Sequence, residues 1–211
     1  MVLLASRFGK YDEERLIPLA SSVEIMHMAT LVHDDIIDEA EFRRGRSTIQ
    51  SRWGNDIAVF TGDFLFTRAF SIVTQKTSHE NMHQLSKAIR AVCEGEIDQF
   101  ESRYQHEVSL RQYLKRISRK TAMLFALSCH VGAAEAQCKP KLIRHLRQLG
   151  HDFGMAFQIT DDLLDFNGKQ YSTKLALRYL DRCRMHLDSL PNNPAKDALQ
   201  ELIEELIGRR Y

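Results

Sequence analysis

Cysteine, proline and tryptophan are all scarce in this chain of 211 residues, at 4, 4 and 1. The cysteines (Cys93, Cys129, Cys138 and Cys183) form no C-x-x-C pair and stand at no zinc-ligand spacing. That excludes a disulfide framework and reads as buried thiols in a reducing compartment. No proline occurs between Pro18 and Pro140, so nothing there forbids long helices. An excess of either charge is lacking too: 29 Lys plus Arg against 28 Asp plus Glu give a net charge of +1. This excludes nucleic-acid binding through a bulk basic charge. Continuous apolar runs fall short of the roughly 20 residues a spanning helix requires, and the opening Met1–Ala5 is too short for a signal-peptide core. The expectations are a cytoplasmic location, no stable membrane insertion and no nucleic-acid partner.

Strand-like alternation is also scarce. Apolar residues recur instead at spacings of three and four, as in Leu16, Leu19, Val23, Met26 and Leu31, or Leu110, Tyr113, Leu114 and Ile117. The pattern predicts helices over 12–39, 55–75, 79–104, 109–137, 140–166, 171–190 and 194–209. Ser109-Leu110-Arg111-Gln112 fits a capping box, and Pro140 and Pro194 suit a first helical position. The fold class expected is all-α, with residues 1–211 forming one domain of long packed helices.

Against this apolar background two acidic clusters stand out. His33-Asp34-Asp35-Ile36-Ile37-Asp38 ends the first long helix, and Asp161-Asp162-Leu163-Leu164-Asp165 lies near the end of another. In each, the first and last Asp are four apart and share one helix face. Three carboxylates within five residues repel one another, and the arrangement costs stability unless a cation compensates. Carboxylate oxygens are hard ligands suited to Mg²⁺, which keeps several waters and is completed by substrate phosphates. A single cluster is also what a solvated acidic helix end looks like. Two, each embedded in apolar sequence, point to a pair of faces gripping metal and a polyphosphate. Phe42-Arg43-Arg44-Gly45-Arg46 follows the first cluster closely; Arg grips phosphate oxygens bidentately, and Gly45 allows a sharp turn. Arg119-Lys120-Thr121 adds a further cation and a hydroxyl.

These residues make the sequence recognisable. It resembles the trans-type polyprenyl diphosphate synthases along Glu24–His27, Leu31–Asp38, Arg43-Arg44-Gly45, Thr61-Gly62-Asp63, Arg119-Lys120-Thr121 and Gly154–Phe166. Within that family it is most similar to the catalytic component of bacterial two-component hexaprenyl or heptaprenyl diphosphate synthases. The resemblance implies the isoprenoid synthase fold, a bundle of long, mostly antiparallel helices around a central cavity. It also implies three Mg²⁺ with substrate bound, held by Asp34 and Asp38, with Asp35 in support, and by Asp161, Asp162 and Asp165. By the same resemblance Arg43 contacts the allylic diphosphate, and Arg44 and His27 contact isopentenyl diphosphate. Lys120, Thr121 and Gln158 hold the allylic diphosphate and flank the reacting carbon, with Phe157 against the substrate. On their own, His27 and Phe157 read as core.

The activity implied is condensation of isopentenyl diphosphate with an allylic diphosphate, farnesyl diphosphate, to a C30–C35 product for quinone side chains. A small non-catalytic subunit would complete a heterodimer, with a homodimer as the alternative. The positions one turn before Asp34 are Ala29 and Thr30, with Val32 nearby, and none is aromatic. Short-chain relatives block their product tunnel there with aromatics, so a medium- or long-chain enzyme is expected.

Two departures from the family pattern stand beside this. The family's N-terminal Gly-Gly-Lys-Arg-x-Arg-Pro stretch is absent, and after Lys169 the sequence does not continue into the family's Gly/Lys-rich lid. The expectation is a longer protein of which N-terminal helices and a segment near 169–170 are missing here. His33-Asp34 and His151-Asp152 also leave open an all-α His-Asp metal phosphohydrolase, and a non-catalytic partner subunit is the other alternative.

Overall fold

The helix signals become helices at nearly the predicted bounds in a computed structural model that describes residues 1–102, 109–165 and 169–208. The long elements are α2 (Glu13–Ile37), α4 (Asn55–Lys76), α5 (His79–Ser102), α8 (Pro140–Asp165), α9 (Lys169–Asp188) and α10 (Pro194–Gly208). Two short helices, α1 (Val2–Ser6) and α3 (Ile49–Trp53), lie outside the predicted set. Among the described residues the only strands are β1 (Phe42–Arg43) and β2 (Arg46–Ser47), so the chain is all-α as expected. Packing divides it into two compact units, Glu13–Ser78 and Met1–Asp12 together with the chain from His79 onward.

In the Glu13–Ser78 unit, α2 packs on α4. Leu16, Leu19, Val23, Met26 and Ala29 of α2 are buried, as are Ala58, Gly62, Ala69 and Val73 of α4. Small residues along α4 let the helix backbones approach closely. Helix α2 stops where Glu39 turns left-handed (φ 51°). The Glu39 amide bonds Ile36 O at 3.2 Å and the Ala40 amide bonds Asp35 O at 2.9 Å, a Schellman pair that satisfies the last carbonyls. Residues 44 and 45 then form the two-residue loop of the β1–β2 hairpin, with Arg43 opposite Arg46. Both loop residues have positive φ (51° and 75°), the type I′ geometry that suits strand twist. Gly45 adopts it without strain; Arg44 does so as a less common residue for that region. Thr48 closes the segment: its hydroxyl donates to Ala40 O at 2.6 Å and accepts from the Ser51 amide at 3.3 Å, capping α3.

The second unit is organised around α8, which packs on both α7 (Met123–Glu135) and α9. Glycine makes the α8–α7 approach possible, since a Cβ at Gly150 would stand 2.6 Å from Phe125 O. Phe125 of α7 meets Phe153 edge-on at 5.4 Å and Phe157 at 5.8 Å. The single helix expected over 109–137 is corrected. It comprises α6 (Leu110–Ile117), a π-helical segment Ser118–Ala122 and α7. One residue more per turn shifts every side chain that follows around the helix axis, which periodicity cannot reveal. The Ser109–Gln112 capping box forms, with the Ser109 amide donating to Gln112 Oε1 at 2.9 Å. Pro140 and Pro194 are the first residues of their helices.

Continuous apolar runs stay short, as expected, yet two helices are apolar in overall composition. Helices α2 and α4 each contain an 18-residue window long and apolar enough to cross a bilayer by composition. Their few charges are spaced so that no continuous apolar run announces this. Both helices pack within one unit, and α2 carries the first acidic cluster on its last turn.

Candidate active site

The first cluster lies at the C-terminal end of α2. Asp34 and Asp35 are helical, whereas Asp38 stands one residue past the helix, still bonded through its amide to Asp34 O at 2.8 Å. Asp34 and Asp38 therefore stay one above the other, as the four-residue spacing requires. Asp38 is exposed, Asp34 half-buried and Asp35 buried at 6%. Buried carboxylates need a partner. Asp35 has one in Arg43, whose Nε donates to Oδ1 at 2.7 Å. The hairpin thus returns a predicted diphosphate ligand onto the first aspartate cluster, while Arg44 and Arg46 at its tip are exposed.

His33 fixes the orientation of this turn. Its ring lies on α4: Nε2 is 3.3 Å from Val59 O and 3.5 Å from Asp63 Oδ1, and the ring centroid is 5.8 Å from that of Phe66. Gly62 provides the space, because a Cβ there would stand 2.1 Å from His33 Nε2. His27, one helical face earlier, is half-buried, and Ala29 is wholly buried.

The second cluster ends α8. Asp161 is exposed and Asp162 half-buried; the side chain of Asp165 lies outside the described residues. Asp162 is held at both oxygens. Gln158 Nε2 donates to Oδ1 at 2.8 Å and Tyr113 OH to Oδ2 at 2.5 Å. Thr121 Oγ1 donates in turn to Gln158 Oε1 at 2.7 Å. Burial, reinforced by the Asp162 bond, pushes the Tyr113 phenol well above its ordinary value, so it acts as donor. Thr121 and Gln158, two of the three residues predicted to flank the reacting carbon, are therefore directly bonded. Phe157 is half-buried against Phe125.

The cations of the π-helical segment face α5. Lys120 Nζ meets Glu96 Oε2 at 3.0 Å, and Arg119 meets Asp98 at 2.8 Å and Glu94 at 3.3 Å. A hydrogen bond from Lys115, helped by the charges of Lys115 and Arg119, holds Asp98 below the usual carboxylate range. Gly95 admits the close approach, since a Cβ there would stand 2.9 Å from Arg119 Cβ.

Three contributors escape sequence reasoning. Tyr113 lies in an apolar stripe and reads as core; only its hydroxyl distinguishes it from Phe there. Glu96 carries no signal, and the His33–Gly62 contact joins residues 29 positions apart. The same geometry disfavours a His-Asp metal pair. His33 turns to α4, and Asp152, 1% exposed, meets Arg182 Nε at 3.1 Å and His186 at 3.6 Å. His151 Nε2 lies 2.9 Å from Ser118 Oγ, and its Nδ1 lies 3.5 Å from Asp152 Oδ1. Among the described residues no three His, Cys, Asp or Glu side chains converge to hold a metal unaided. The donor chemistry fits Mg²⁺ completed by water and phosphate oxygens: hard carboxylates one helical turn apart, at least partly open to solvent.

An all-α chain with two Asp-Asp-x-x-Asp helix ends, the first bonded to Arg43 and the second to Gln158 and Tyr113, has the fold and acidic motifs of the prenyl diphosphate synthase class. The chain belongs to the polyprenyl synthetase family, whose model matches residues 1–177. It is 48% identical over 169 residues to heptaprenyl diphosphate synthase component 2 of Geobacillus stearothermophilus, covering 80% of this chain and 53% of that protein. The chain thus spans about half the length of the curated relatives it matches. Among solved structures, heptaprenyl diphosphate synthase from Staphylococcus aureus superposes with a TM-score of 0.93 at 28% identity, over 100% of this chain and 86% of that one. A polyprenyl synthase from Caulobacter crescentus, complexed with calcium and isoprenyl diphosphate, gives 0.92 at 28% identity, over 100% and 83%. The fold is that of the isoprenoid synthases.

Proposed function

We propose that the chain is the catalytic part of a Mg²⁺-dependent prenyltransferase that condenses isopentenyl diphosphate with farnesyl diphosphate to a C30–C35 product for quinone side chains. The observation that carries this reading is the Thr121–Gln158–Asp162 chain of hydrogen bonds, which ties the predicted reacting-carbon pair to the second aspartate cluster. Asp34 and Asp38 of the first cluster would hold Mg²⁺, and so would Asp161 of the second, with Asp165 four residues on; when bound, the metal supplies charge neutralisation to the leaving diphosphate. Asp35 serves Arg43, and Asp162 serves Gln158 and Tyr113, so both support the site from behind.

Arg43 uses Nε on Asp35, and its terminal nitrogens are the groups a diphosphate would meet. Lys120 exchanges Glu96 for the allylic diphosphate, and Arg44 and His27 receive isopentenyl diphosphate. The allylic C–O bond then ionises, and its electron pair leaves with diphosphate. The isopentenyl double bond attacks C1 of the resonance-stabilised cation, and a proton passes to the departed diphosphate. Thr121, Gln158 and Phe157 orient the reacting carbon and exclude water that would quench the cation.

The two-component relative supports a heterodimer with a small non-catalytic subunit, a homodimer being the second possibility. Helix α4 exposes Ile57, Val59, Phe60 and Phe64, an apolar set suited to a subunit contact. The cytoplasm is the assigned location. The test is incubation with farnesyl diphosphate, labelled isopentenyl diphosphate and Mg²⁺, with and without the small subunit. A labelled C30 or C35 product is expected; no incorporation in either case from the full-length protein overturns the reading.

A further inference from the structure

Tyr113 belongs to no motif, yet it terminates the side-chain relay Thr121–Gln158–Asp162–Tyr113, which spans α6, the π-helical segment and α8. Its hydroxyl and the Gln158 amide take one Asp162 oxygen each. A carboxylate held at both oxygens has its plane fixed, so Asp162 cannot rotate toward a cation on the exposed side of the helix. The ring is itself anchored. It packs against a buried cluster of Ile117, Ala122, Met155, Ile159 and Ala176, and the Arg116 guanidinium lies 5.7 Å from its centroid. A half-buried phenol donating to a carboxylate oxygen is held by both the bond and the packing of its ring. The bond runs from the core outward to the residue adjoining Asp161.

We infer that Tyr113 is a positioning residue: by clamping Asp162 it sets the Asp161 carboxylate for Mg²⁺–diphosphate and, through Gln158, the Thr121 hydroxyl for the reacting carbon. The assignment rests on the function proposed above. Tyr113→Phe removes the hydroxyl and keeps the packing, so the fold is retained while Asp162 loses one of its two side-chain donors.

The experiment is a Mg²⁺ titration in the presence of inorganic pyrophosphate, read by the rise in melting temperature, alongside steady-state kinetics. Y113F should raise the half-saturating Mg²⁺ concentration about tenfold, the worth of one hydrogen bond to a charged group, and lower kcat more than it raises KM for isopentenyl diphosphate. In a D162N background the Y113F effect should vanish, because the two act as one unit. A wild-type protein that makes polyprenyl product while Y113F leaves the Mg²⁺ dependence and kcat unchanged overturns the inference, even if the melting temperature falls. A wild-type protein that shows the Mg²⁺–pyrophosphate shift, altered by Y113F, but transfers no prenyl group overturns the functional reading and the Thr121 role with it, and leaves standing that Tyr113 sets Asp161 for Mg²⁺–diphosphate. No Mg²⁺-dependent shift in the wild type overturns both.

Discussion

The imidazole of His33 lies where a side chain at residue 62 would have to be: a Cβ on Gly62 would stand 2.1 Å from Nε2, 2.4 Å from Cδ2 and 2.8 Å from Cε1. His33 precedes Asp34, the first aspartate proposed to hold Mg²⁺, so this contact between α2 and α4 sets how Asp34 is presented. Gly62→Ala must displace the ring from Val59 O and Asp63. Overpacking of this kind costs about 1–3 kcal/mol, and a shift of the Asp34 turn should lower kcat about tenfold or more. Adding His33→Ala removes the clash and should restore the melting temperature but not the rate. Recovery of neither, or no loss in the single variant, contradicts the contact's role.

Product length should respond to bulk one turn before Asp34. Thr30 is half-buried, and its hydroxyl donates to His27 O at 2.7 Å; Ala29 is wholly buried. Thr30→Tyr should shorten the product with little loss of stability, whereas Ala29→Phe should shorten it and destabilise the protein by about 1–3 kcal/mol. Chain-length analysis of labelled product decides. An unchanged distribution from both variants removes the tunnel from beneath the first cluster.

The thiols separate sharply by environment. Cys129, Cys138 and Cys183 are buried and Cys93 is exposed. Burial pushes the Cys129 thiol up to about 11 and raises those of Cys138 and Cys183, which suppresses the reactive thiolate. A thiol reagent at neutral pH should therefore modify one equivalent in the native protein and four after denaturation. Cys93→Ser should abolish the native reaction. Rapid native modification of that variant would show that the buried thiols are accessible.

Acid should destabilise the fold through two histidines. Burial, with Arg147 adding to it, holds His130 below its ordinary value of 6.5; burial also lowers His186, against the pull of Asp152 and with help from His145 and Arg182. The unfolded chain takes up these protons at higher pH than the folded one. Their stabilisation is therefore full above about pH 6.5 and lost as pH falls from there through the folded values. The melting temperature should drop between pH 7.5 and 5.5, and the double variant H130Q/H186Q should show a shallower drop. Equal slopes in the two proteins would assign acid sensitivity to other groups.

Much of the fold was legible because helix signals are local. Apolar spacing, the Ser109 cap and the prolines at 140 and 194 placed the long helices within a few residues of their observed ends. The breaks at 118–122 and after residue 37 were not legible. The π-helical segment and the Schellman end of α2 depend on which neighbours the backbone meets, and neither leaves a periodic trace. At the site, the aspartate clusters, Arg43 and the Thr121–Gln158 pair stood out as sequence. Their partners Glu96 and Tyr113 did not, because they are ordinary helix residues until another segment is packed against them, and Gly62 stood in a quoted motif without any sign that His33 would fill its place.

The sequence by itself determined an all-α chain, the positions of two acidic clusters one helical turn long, and the family to which the chain belongs. The first two follow from periodicity and residue type, which act over a few positions along the chain, and the family follows from the likeness of its motifs. Tertiary structure alone decided which groups hold the second aspartate of each cluster. Asp35 is claimed by Arg43 and Asp162 by Gln158 and Tyr113, because a buried charge must be paired and only packing determines what is near enough to pair with it.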